Sequence, residues 1–132
     1  YGEQQWRNME LSLLITPLTG GNAQILFRLD EDANGFYLFD MLMGWQAVAV
    51  SRVIKDANGM ASVVKLSVVN YPLQHEREYA VNIAARDHSI TTYIDGALVN
   101  QVTDDVFDQG KIGLTVWESK TLFRDIQLRL LH

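Results

Sequence analysis

The chain contains no cysteine. That single absence removes disulfides, thiolate metal sites and cysteine nucleophiles together, while leaving the cellular compartment open. Histidine is nearly as scarce. His75, His88 and His132 stand alone, with no His-x-x-x-His or similar pair, so the spacing offers no zinc site. Basic residues are few: Lys and Arg number 11 against 16 Asp and Glu, for a formal net charge of -5. No basic run occurs, which argues against nucleic acid and an anionic membrane surface as partners, since both want clustered cations. No apolar run approaches the ~20 residues needed to span a bilayer. No signal peptide is visible and Tyr1 is not an initiator Met, so the chain is expected to be a mature fragment excised from a longer protein. A helical hydrophobic period is also missing, apart from a weak segment around Val106 and Phe107.

What is present is alternation. With 132 residues and 48% hydrophobic composition, the chain suits one globular domain, residues 1–132, with a core of its own. The organising stretch runs from Tyr79 to Val102. Tyr79, Val81, Ile83 and Ala85 alternate with Ala80, Asn82, Ala84 and Arg86. Asp87-His88 and Asp95-Gly96 then break two further apolar runs. Asp-Gly between such runs signals a type I′ hairpin, because that turn needs positive φ at both central residues. The stretch reads as a three-stranded meander.

The same grammar runs through the rest. Strands are expected at Trp6 to Thr16, Ala23 to Leu29, Phe36 to Met43, Trp45 to Ile54, Met60 to Val69, Gly110 to Trp117 and Leu122 to Leu130. Pro17 and Thr19-Gly20-Gly21-Asn22 separate the first two, and Asp104 to Gln109 reads as a short helical turn or a loop. Asp-Ala-Asn-Gly occurs twice, at 32–35 and 56–59, as two similar hairpin turns with unrelated flanks. Nine or ten short strands, several apolar on both faces, predict an all-β, two-sheet antiparallel β-sandwich.

The order of a Trp and a strand, then ILFRLDEDANGFYL, EYAVNIAARDHSITTYIDGALVNQVTD, GKIGLTVWES and LFRDIQL, resembles the concanavalin A-like jelly-roll superfamily. Within it the chain is similar to laminin-G-like bacterial modules. These are carbohydrate-binding modules of the levan-binding type and the related keto-disaccharide hydrolase-like domains. The resemblance covers nearly the whole chain. It implies a concave sheet packed on a flatter one, with sugars held on the concave face or at the loop rim. It implies a further strand before Trp6, and in some members a structural calcium ion.

A sugar site needs flat apolar surface for the ring's C–H face and fixed polar groups for its hydroxyls. Arg28 and Asp40 stand mid-strand among apolar residues, where a charge is costly unless paired. Tyr37 follows the acidic turn, and Trp117 and Glu118 close a strand. The resemblance maps Arg28, Tyr37, Trp117 and Glu118 near the concave face. Convergence of these residues on one surface is the sharper expectation. The plainer one makes Arg28 and a carboxylate a structural ion pair and Trp117 part of the core. Trp45, after a Gly, either flanks the groove or covers an edge.

Asp30, Glu31, Asp32 and Asn34, and separately Asp104, Asp105 and Asp108, offer oxygen ligands suited to calcium, or simply solvate turns. The Glu-x-Asp-x-x-Glu motif that the resemblance implies for retaining glycosidases of this fold is absent, as is Gly-x-Ser-x-Gly. A carboxylate pair drawn from different strands, Asp40 with Glu118, stays open. The expected function is a non-catalytic carbohydrate-binding module taking an oligo- or polysaccharide, needing no cofactor and joined to a parent enzyme domain. The resemblance places it outside the cell or at the cell surface. The alternatives are a keto-disaccharide-type glycoside hydrolase domain and a laminin-G-like structural or protein-interaction domain.

Overall fold

The computed structural model describes residues 8–29, 34–107 and 110–130; for residues 111, 116–119 and 130 it describes the backbone alone. Among the described residues the fold is all-β and antiparallel. It has eight strands: β1 (Met9–Leu29), β2 (Gly35–Leu42), β3 (Ala47–Lys55), β4 (Ala61–Asn70), β5 (Tyr79–Arg86), β6 (Ser89–Ile94), β7 (Ala97–Thr103) and β8 (Lys111–Leu130). Neighbours run β4-β3-β2-β1-β5-β6-β7, with β8 alongside β1.

Two long strands carry this order. The second half of β1 pairs with β2, from Ala23 opposite Met41 to Phe27 opposite Tyr37. Its first half pairs with β5, from Met9 opposite Ala85 to Ile15 opposite Tyr79. β8 follows β1 through both halves, with register shifts between Ser12 and Leu14, Pro17 and Thr19, and Leu26 and Leu29. The expected pairs of short strands at 6–16 and 23–29, and at 110–117 and 122–130, are therefore two continuous strands. Pro17, which lacks an N–H, and Gly20, with φ of 83°, mark the bend instead of ending a strand. The sheet thus has a first wing, β4-β3-β2 with the second half of β1, and a second wing, β5-β6-β7 with the first half. The two layers expected from the sequence are joined in one continuous ladder.

The core sits between the inner faces of the wings. Leu11, Ile15, Ile25, Phe27, Phe39, Met41, Val48, Val50, Ile83 and Ile90 are fully buried in one cluster that draws on both. Strand alternation produces it, because residues at i and i+2 point to the same side. Asn100 of β7 stitches the free edges together. Its Nδ2 donates to the Val48 carbonyl (3.3 Å) and to Ser67 Oγ (2.9 Å), while its Oδ1 accepts from Thr92 Oγ1 (2.6 Å). A buried amide is tolerated there because its donors and acceptor are satisfied.

The turns follow their residues. Asp95 and Gly96 have φ of 51° and 84°, as the type I′ reading requires. Asp56 Oδ1 accepts from the backbone N–H of Asn58 and Met60, closing the β3–β4 turn. Residues 104–107 carry no helix, and Trp45 lies in the β2–β3 turn instead of beginning β3.

Candidate functional site

Alternation along β2 places Tyr37 and Asp40 on opposite faces of the first wing. Tyr37 faces inward and is fully buried. Its hydroxyl donates to Asp104 Oδ2 (2.6 Å) and accepts from the Phe107 N–H (3.2 Å). Its ring packs on Phe27 and, edge-on, on Phe107, at centroid separations of 5.6 and 5.4 Å. Burial, then the bond to Asp104, pushes its hydroxyl up to about 12, so it stays neutral. Asp104 also accepts from Arg52 Nη1 at 2.7 Å.

Arg28 sits at the β1–β8 register shift with φ of 51° and is 1% exposed. Its Nη1 donates to the Phe107 carbonyl (3.1 Å). Arg28 and Tyr37 therefore hold the 104–107 segment against the core. The expected meeting of these two with the other candidates on one open surface does not occur. The bulge turns the guanidinium inward, and strand parity sends the phenol the same way.

The outer face of the first wing gathers other candidates. Asp40 lies opposite Gln24 of β1 and Ala49 of β3 in the ladders. Ala49 in turn lies opposite Val68 of β4, and Ser51 opposite Lys65. Leu42, Ala47 and Ala49 form a small buried apolar patch beside Asp40, distinct from the main core. The rim is open: Trp45 is 76% exposed, and Val63 and Val68 are about half exposed. Lys65 Nζ stands 5.1 Å from the centroid of the Trp45 ring, a cation–π distance.

The turn bearing Trp45 is pinned by Gln46. Its Nε2 donates to the Met43 carbonyl (2.8 Å), its Oε1 accepts from the Leu73 N–H (2.7 Å), and its own carbonyl accepts from the Tyr71 N–H (2.9 Å). The Trp45 backbone N–H adds a bond to Leu42 (3.2 Å).

Asp40 is the unusual group. It is 9% exposed, yet only Oδ2 has a partner, Gln24 Nε2 at 3.3 Å; Oδ1 has none among the described residues. Burial pushes its carboxyl up to about 6, with the Gln24 amide and the Lys65 charge pulling the other way. A half-satisfied carboxylate on a floor of small residues can accept hydroxyl hydrogens from a ligand.

Trp117 lies in β8 opposite Asn22, and Glu118 follows it; the side chains of both lie outside the described residues. So do Asp30, Glu31, Asp32 and Asp108 of the two acidic turns, together with Trp6 and His132. Among the described residues no group of three or more His, Cys, Asp or Glu is placed to hold an ion. His88 is an exposed turn residue, and His75 Nε2 lies 3.0 Å from the Gly20 carbonyl. Sequence reasoning missed Gln24, Gln46 and Lys65. Only the β1–β2 register, which sets Gln24 opposite Asp40, reveals its part.

This all-β antiparallel fold is that of lectin-like jelly rolls, and we term the outer-face strip of Asp40, Gln24 and Ala49 its trough. The chain belongs to the 3-keto-alpha-glucoside-1,2-lyase-like domain family, whose model matches residues 1–129. Its fold is similar to carbohydrate binding module CBM66 from Bacillus subtilis, with a TM-score of 0.82 and 26% identity over 95% of this chain and 76% of that one. It is also similar in fold alone to Caenorhabditis elegans galectin LEC-6, with a TM-score of 0.68 and 12% identity over 94% and 84% of the two chains. A levanase of Bacillus subtilis (strain 168) is 29% identical over 106 residues, which are 80% of this chain. The matched part is 15% of the levanase, so the chain corresponds to a small part of that relative.

Proposed function

We propose that this domain is a non-catalytic carbohydrate-binding module that takes a neutral glycan in the trough of the first wing, with the two wings serving as the layers of a jelly-roll sandwich. The observation that carries the reading is Asp40: a nearly buried carboxylate with one oxygen that has no partner among the described residues, on the wing whose Lys65 lies over the exposed Trp45 indole. Sugar hydroxyls would complete the hydrogen bonding of Asp40 and Gln24, and Trp45 would cover a ring's C–H face. The strands and the Gln46-pinned turn hold these groups before any ligand arrives, which limits the ordering entropy of binding. The likeness to CBM66 and to part of a levanase supports a fructan such as levan as the first ligand to try, and a parent enzyme acting outside the cell. Trp117 and Glu118 remain candidates for the β8 border of the trough.

Affinity electrophoresis through levan tests this. Trp45→Ala should weaken retention about tenfold, as loss of one aromatic contact of about 1.4 kcal/mol predicts, with the thermal midpoint unchanged. Undiminished retention removes the trough from the reading.

A second reading rests on the same carboxyl. A carboxyl that titrates at about 6 is suited to general-base work near neutral pH, and the family description includes a lyase. Asp40 would then take the C2 proton beside the carbonyl of a 3-keto-glucoside, the C–H electron pair forming the C1–C2 double bond as the C1–O bond breaks, and Glu118 or Lys65 would protonate the leaving oxygen. Product release from 3-keto-disaccharides, lost in Asp40→Asn, favours this reading; binding of glycan without turnover favours the first.

A further inference from the structure

The outer face of the second wing carries a groove of its own. It is an open depression of about 530 Å³ lined by Glu10, Asn82, Ala84, Arg86, Ser89, Thr91 and Tyr93. The ladders explain its shape. Ala84 lies opposite Glu10 on one side and Thr91 on the other, and the next row runs Ser12, Asn82, Tyr93. Ala84 is the small residue in the middle, so the surface dips there. None of these groups belongs to the trough around Asp40, which lies across the shared core on the opposite outer face.

The lining is partly committed and partly spare. Arg129 Nη2 donates to Glu10 at 2.7 Å, balancing that carboxylate, and Asn82 Nδ2 donates to Ser12 Oγ at 2.9 Å. Among the described residues, the side chains of Arg86, Ser89, Thr91 and Tyr93 make no hydrogen bond within the chain. A row of hydroxyls and an amide with a phenol ring beside a small floor, fixed on paired strands, has the composition of a neutral sugar site.

We propose that this groove is a second glycan-binding site, so that one domain bridges two polysaccharide strands. The proposal rests on the carbohydrate-binding reading above. Two sites on opposite faces join different strands more readily than they bind one strand twice, because a short chain cannot span the core. Bridging raises retention on a polymer without adding affinity for a short oligosaccharide.

Titration calorimetry with a levan-derived oligosaccharide, and turbidity with levan, test it on three proteins: the parent chain, Ala84→Trp and Asp40→Asn. Trp at position 84 fills the groove from an outward-facing strand position that accepts aromatics. Two oligosaccharides per parent chain, one per chain in either variant, and turbidity with the parent alone are the expected results. Tyr93→Ala, which leaves the floor open, should weaken the residual binding of Asp40→Asn about tenfold. One oligosaccharide per parent chain, abolished by Asp40→Asn and untouched by Ala84→Trp, overturns the second site while leaving the first. No binding by the parent chain to levan or to any other neutral glycan overturns the carbohydrate reading itself, and the second site with it.

Discussion

Asp40→Asn should make the protein more stable at neutral pH and poorer at its task. Burial raises this carboxyl from 3.8 to about 6. The folded chain therefore keeps a proton on Asp40 between about pH 4 and 6 that the unfolded chain has released. Stability falls as pH rises through that window and stays lowered above it. At about 1.4 kcal/mol per pH unit, the carboxylate costs the fold up to about 3 kcal/mol at pH 8. Asparagine keeps the shape and the bond to Gln24 but carries no charge to desolvate. Thermal unfolding of the variant should move up by as much as roughly 10 °C at pH 8, at about 4 °C per kcal/mol, and by little at pH 4. Glycan retention should fall in the same variant, since hydroxyl bonds to a charged acceptor are the stronger ones. In the parent chain, retention should weaken as pH drops through about 6. An Asn variant no more stable than the parent at pH 8, or equally stabilised at both pH values, would refute the idea that Asp40 is a desolvated charge kept for binding.

Three further substitutions probe how the fold holds the 104–107 segment. Asp104→Ala leaves the half-buried Arg52 and the Tyr37 hydroxyl without their shared acceptor, and urea unfolding should show a loss of about 3 kcal/mol. Tyr37→Phe, which removes the hydroxyl's bonds to Asp104 and Phe107 and keeps the packing, should lose about 2 kcal/mol in the same assay. Gly35→Ala drives a Cβ into the Phe107 ring, so it should destabilise by about 2 kcal/mol and loosen the 104–107 segment to hydrogen exchange, leaving retention on levan unchanged.

The strands and turns were legible because each is encoded locally. Asp95-Gly96 specified its own turn, and alternation separated Val81 and Ile83 from Asn82 and Ala84 without any knowledge of partners. The union of the short segments into β1 and β8 was not local. Pro17 and Gly20 punctuate a strand in sequence, but pairing with β8 on the other side carries the ladder past them. The candidate residues divide along the same line. An unexpected charge within a strand marks Arg28 and Asp40 equally, yet a one-residue bulge decides which face each one meets. Arg28 is turned into the interior to fasten a loop, whereas Asp40 keeps the parity of its strand and arrives on the outer floor. Sequence thus identifies the costly groups, and register decides their use. By that reasoning the polar rows along β5 and β6 looked ordinary in sequence, since solvated strand faces are polar by default. Only the ladder shows Ala84 set between Glu10 and Thr91, where its short side chain leaves the surface low.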